Sequence, residues 1–215
     1  MAQVQPHQRR WPASLAVAVI IALQLLLPPA IRLGGGYVVP ALEALLLAPV
    51  VIANPLLLTR DHPVLRRIAI LLAYAVVLAN GVTLALLLTA MVRGTHLTAG
   101  NLVAAAAVIM STNVVAAGLL FWELDRGGPF ARDPAQERDE DRADLLFPQT
   151  PYGEPLTAWR PGFLDYLYVG FTNSTAFSPT DTMPLTARAK VVFMMTSVVA
   201  VLCIALVAGR AANLF

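Results

Sequence analysis

The amino-acid sequence predicts an all-α integral membrane protein, and three observations carry that prediction. Of 215 residues, 58% are apolar and only 13% charged, where soluble domains run nearer a quarter charged, and a soluble fold of this size still needs a polar exterior. Five apolar stretches are long enough to cross a hydrocarbon core, which takes about 20 residues. None of them alternates with the two-residue period of a barrel strand, and backbone groups in lipid must pair internally, so helices are the expected form.

The first stretch runs from about Ala13 to Ile31, after Arg9, Arg10 and Trp11. A basic pair before an apolar run also fits a secretory signal, but this run is long and Pro28-Pro29-Ala30-Ile31-Arg32 is a poor cleavage site. The second runs from about Val38 to Leu58, the third from Ile68 to Met91, the fourth from Leu102 to Trp122 and the fifth from about Val191 to Ala208. Gly34-Gly35-Gly36 and Arg60-Asp61-His62-Pro63 are short turns, so consecutive helices are expected to run antiparallel.

Between the fourth and fifth stretches the composition changes. Residues 123–160 hold five Arg and nine acidic residues, half the charges of the chain, with prolines at 129, 134, 148, 151 and 155. The chain therefore divides into a four-helix region (1–122), a charged, Pro-rich soluble loop (123–160) and a last region (161–215). The carboxylates lack the spacing and turn glycine of a calcium loop, so a solvated linker without metal is expected.

No metal or other cofactor is expected, and no enzymatic activity. His7, His62 and His96 lie in tails or turns, and there is no Ser-His-Asp grouping, metal-spaced His/Cys set or phosphate loop. A net charge of +2 with dispersed basic residues excludes a nucleic-acid footprint. Cys203 sits within an apolar run and reads as a packing residue. The expected partner is the lipid bilayer itself.

Polar residues inside the spans are the natural places to seek function. Glu43 is the one acidic residue well inside a span, so it should be protonated, paired or facing water. Asn54 lies three turns further along the same face; Asn80 and Thr83 share a face of the third span, and Asn113 sits near the middle of the fourth. Interhelical hydrogen bonding accounts for such Asn and Thr positions in most bundles. Counting Lys and Arg near span ends, Arg9, Arg10, Arg60, Arg66 and Arg67 oppose Arg32 and Arg93, which favours a cytoplasmic amino terminus and an internal 123–160 loop.

The segment from Phe163 to Asp181 starts apolar and turns polar at Thr172-Asn173-Ser174-Thr175. From Phe163 to Thr175 is 13 residues, too short to span, as expected of a re-entrant or interfacial helix. It resembles the pore half of two-span potassium channels, where a short helix leads into Thr-Val-Gly-Tyr-Gly-Asp and an inner helix follows. Tyr168, Phe171, Thr175, Asp181, Pro184 and Thr186 fall on matching positions. The resemblance implies an ion-channel-like pore former passing a monovalent ion, built as a homo-oligomer, tetrameric by analogy. Tyr168, Phe171 and Thr172 would belong to the pore helix, and Thr175, Ala176, Phe177, Ser178, Pro179, Thr180 and Asp181 to the filter. The departures are large: Ser178 and Thr180 replace the filter glycines and Pro179 the tyrosine. Pro179 fixes its own φ and biases Ser178 toward extended geometry, so a carbonyl-lined potassium filter is not implied. Such channel loops dip in from outside, which conflicts with the charge count above. The alternative expectation is a non-conducting membrane scaffold or regulator that contacts a partner through the 123–160 loop.

A second resemblance covers most of the chain after about Asn101. The Trp122–Pro129 stretch (Trp-Glu-Leu-Asp-Arg-Gly-Gly-Pro), Phe147-Pro148-Gln149 and Thr175–Asp181 are similar to those of a group of actinobacterial-like multi-pass inner-membrane proteins of unknown function. It implies architecture and a bacterial plasma-membrane location only.

Overall fold

Apolar runs without internal turn signals become helices, and helices account for nearly all of the regular structure. The computed structural model describes residues 10–28, 31–32, 36–53, 63–93, 98–132, 143–149, 159–176 and 181–212. Among these residues six α-helices follow in order: α1 (Trp11–Leu25), α2 (Val38–Ala53), α3 (Pro63–Val92), α4 (Ala99–Leu124), α5 (Phe163–Ala176) and α6 (Ala187–Ala212). Two short strands, β1 (Leu145–Leu146) and β2 (Met183–Pro184), pair antiparallel with Leu145 opposite Pro184.

Among the described residues, three helical stretches are long and apolar enough to cross a membrane: Pro63–Val92, Ala99–Gly127 and Ala187–Gly209. These are the third, fourth and fifth stretches of the sequence. The first two form apolar helices that are shorter, 15 and 16 residues. α1 stops at Leu25 rather than Ile31, because Pro28 disfavours helical geometry just before it. Ile31 is nonetheless fully buried, packed beyond the helix end. Large apolar side chains lie exposed along the outside of the bundle, among them Leu78 on α3 and Met194 and Val198 on α6, as suits a surface solvated by lipid rather than water.

Paired contacts orient the helices. Arg10, ahead of α1, meets Glu123 near the end of α4, while Gln24 at the far end of α1 meets Glu43 of α2. The charged-loop end therefore gathers the start of α1, the start of α3, the end of α4 and the starts of α5 and α6. Two apolar clusters fill the interior. One lies toward that end and includes Val17, Val76, Leu120, Trp122, Leu145, Phe147 and Tyr166. The other, at the opposite end, includes Ile31, Leu87, Ile109 and Cys203, which places the cysteine in packing.

The 123–160 loop departs from a uniformly solvated linker. Asp125, Arg132, Asp144, Leu145 and Phe147 are all buried, so 123–132 and 144–147 pack into the core, while Pro148 and Gln149 are exposed. Residues 133–142 and 150–158 lie outside the described residues.

Candidate functional site

α5 runs antiparallel along α4. Phe163 stacks edge-on against Trp122, and lower down two glycines bring the backbones together. A Cβ on Gly118 would stand 3.0 Å from the Leu167 Cα, and one on Gly170 would stand 2.6 Å from the Val114 carbonyl oxygen. Without side chains at those two points the helices approach as closely as small-residue interfaces allow. Fourteen residues carry α5 about 21 Å at 1.5 Å per residue, and its end lies level with Asn113, near the midpoint of α4. Seven residues after Ala176, at Met183, the chain is back beside Leu146 at the end from which α5 started.

The polar turn of α5 is tied into the bundle. Asn113 donates from Nδ2 to the Ser174 hydroxyl (3.1 Å) and to the Thr196 carbonyl (2.8 Å). Asn173 donates to the Phe193 carbonyl (3.2 Å) and the Thr196 hydroxyl (2.9 Å), and accepts from Ser197 (3.2 Å). Thr172 is buried, its hydroxyl shared between the Tyr168 and Val169 carbonyls at 3.1 Å each. Its outward face is different: Tyr168 and Phe171 are both 54% exposed. Thr175, whose hydroxyl donates to Phe171 O (2.8 Å), and Ala176 are exposed as well. Asp181 is exposed where the described chain resumes. Phe177, Ser178, Pro179 and Thr180 lie outside the described residues.

A second polar assembly sits at the charged-loop end. After α4 the chain reverses through Arg126 (φ 50°), Gly127 (φ 82°) and Gly128 (φ 98°), a run of left-handed conformations that glycine adopts readily. The reversal brings Arg132 beneath the end of α4, where its guanidinium donates to the Trp122 carbonyl (2.8 Å) and the Asp125 carbonyl (2.6 Å). A cation there satisfies carbonyls that the helix leaves unpaired and complements its dipole. The Asp125 carboxylate accepts from the backbone N–H of Asp144 (2.8 Å) and Leu145 (3.2 Å) and from the Tyr166 hydroxyl (2.6 Å). Burial pushes the Tyr166 phenol well above its ordinary range, and the Asp125 charge adds to that. Asp144 in turn takes Arg188 in a two-pronged pair and the Thr186 hydroxyl. One chain of contacts thus joins the end of α4, the loop, α5 and the start of α6.

The remaining sequence candidates divide simply. Asn80 is buried in α3, Glu43 is fully buried in α2 with Gln24 as its partner, and Asn54 lies outside the described residues. Sequence reasoning missed Asp125, Arg132, Asp144, Tyr166 and Arg188 as a set. The available signal was local: charged residues wedged against the apolar Trp122 and Leu145-Leu146-Phe147. No protein-family model matches the chain, nor does any curated protein or solved structure.

Proposed function

We propose that this chain is a multi-pass plasma-membrane protein in which α5 enters the bilayer as a half-helix and returns to the same face, and that copies assemble around a path for a monovalent cation. The observation that carries this reading is the exposed C-terminal end of α5, level with the middle of α4. Helix carbonyls at that depth need protein or water around them, and a helix C-terminus carries partial negative charge that favours a cation. A neighbouring copy and an aqueous path between copies would supply both, with Asp181 near the mouth. The exposed Ala205 and Gly209 of α6 suit a close helix contact between copies.

In this arrangement α1, α2, α3, α4 and α6 make five crossings. The first two, about 22 to 24 Å long, are shorter than the hydrocarbon thickness, and local thinning of the bilayer accommodates them. Arg10, Arg66, Arg126, Arg132 and Arg188 gather at the charged-loop end, against Arg32 and Arg93 at the other, so that end faces the cytoplasm. A Gln136→Cys variant should then be labelled only from the cytoplasmic side.

Purified protein in liposomes should pass monovalent cations, and Asp181→Asn should reduce the flux. Flux no greater than that of empty vesicles would favour the second reading, a non-conducting scaffold or regulator. That reading draws on Asn173 and Ser174, which are buried and bonded to α4 and α6 rather than turned toward a path, and it expects crosslinking in cells to capture a partner through the 123–160 loop.

A further inference from the structure

Glu43 and Gln24 form an isolated polar pair between α2 and α1. Glu43 is fully buried and Gln24 9% exposed. The Gln24 Nε2 donates to Glu43 Oε1 at 3.0 Å. The other oxygen of each side chain, Glu43 Oε2 and Gln24 Oε1, is buried without a hydrogen-bond partner among the described residues. Both atoms are acceptors when the carboxyl is ionised, and an orphaned buried acceptor is expensive. A single proton removes both deficits. We infer that Glu43 and Gln24 form a proton-binding site, a neutral carboxylic acid whose Oε2–H donates to the Gln24 side-chain carbonyl while the Gln24 amide donates back to Oε1.

The surroundings favour a proton over a metal cation. A hard cation asks for about six oxygen ligands, and this pair offers two free ones. Of the polar groups that neighbouring elements bring to this level, the Thr83 hydroxyl of α3 is engaged with the Ala79 carbonyl at 2.8 Å. Arg32, the charged group nearest along the chain, donates to the carbonyls of Leu25 (2.8 Å) and Leu27 (2.5 Å). Gln24, Arg32, Pro40 and Thr83 are among the walls of a cavity of about 20 Å³ on the Gln24 side of the pair, room for one water. The α1–α2 contact is therefore proton-linked: losing the proton removes one of its two hydrogen bonds and buries a charge in apolar surroundings. This holds whether or not the chain conducts.

The test uses the full chain in lipid nanodiscs at neutral pH. The infrared spectrum should contain a protonated-carboxyl band that shifts in deuterated water and is lost in Glu43→Gln. Dicyclohexylcarbodiimide, which consumes the carboxyl proton as it adds to the oxygen, should label wild type at Glu43 by peptide mass, equally with and without sodium. Glu43→Gln should melt close to wild type, because a second amide reproduces both hydrogen bonds, whereas Glu43→Ala should melt lower. Absence of both the band and the label would overturn the inference, and so would protection of Glu43 by sodium. The wild-type label reads the site directly even where Glu43→Gln fails to fold.

Discussion

Replacing Gly170 by Ala tests whether α5 is seated on α4 by backbone contact. The new Cβ would lie 2.6 Å from the Val114 carbonyl oxygen, 3.1 Å from the Gly118 nitrogen and 3.2 Å from the Ala117 Cβ, against the 3.4 Å at which ordinary contact begins. The nearest atom is backbone and cannot rotate away, so the helices must part by about 0.8 Å, a gap that forfeits a quarter to a half of the dispersion attraction across the contact. Overpacking of this kind costs about 1–3 kcal/mol, and in lipid no hydrophobic drive between helices offsets it. Gly81 of α3 is the internal control, because a Cβ there meets nothing within 4 Å; Gly81→Ala should gain up to about 1 kcal/mol from helix propensity. Both variants should be compared with wild type by denaturant-induced unfolding in mixed micelles, with hydrogen exchange of α5 recorded alongside. If Gly170→Ala proved as stable as Gly81→Ala, with α5 amides equally protected, the close seating of α5 on α4 would be wrong.

Three further outcomes follow from the charged-loop end. Arg10→Met takes from buried Glu123 its hydrogen-bonded cation, leaving only the more distant charges of Arg132 and Arg66, and should destabilise by about 3 kcal/mol, whereas the double change with Glu123→Leu should recover most of that loss, read as a double-mutant cycle in unfolding. Asp125→Ala orphans the Asp144 and Leu145 amides and the Tyr166 hydroxyl and should cost about 3 kcal/mol or more by the same assay. Because Tyr166 holds its proton more tightly folded than unfolded, its contribution is complete below the ordinary phenol value of about 10 and is lost as pH rises above it. An ultraviolet titration of the five tyrosines should therefore show one ionising only as the chain unfolds, and Tyr166→Phe should remove that step.

The helices were legible in the sequence because each is a local property of the chain. α5 was expected over Phe163 to Thr175 from its shortness and its polar turn, and it forms over Phe163–Ala176. Periodicity also placed Asn113 inside a span, but it could not say that Asn113 would meet Ser174, 61 residues away. The assembly around Asp125 was illegible for the same reason. Arg132 apart, its bonded partners lie 19 to 44 residues from one another, and composition made the intervening stretch look uniformly solvated. Burial there depends on the left-handed reversal at Arg126-Gly127-Gly128, which folds the loop's first residues back under α4. The sharpest gap concerns α1, where Arg10 and Gln24 find their partners only once the neighbouring helices are in place.

The Arg10–Glu123 contact, 2.8 Å long and spanning 113 positions, also sets a clock. At about 5–20 residues per second of synthesis, Arg10 waits on the order of 10 s before its partner exists. During that interval the cation over which the Trp122 ring will later close has neither ion pair nor aromatic face to hold it, so α1 and α2 are made with their loop-end anchor still missing. Assembly of this bundle is thus ordered in time by its own longest-range contact, and nascent chains arrested before Trp122 should leave Arg10 open to solvent.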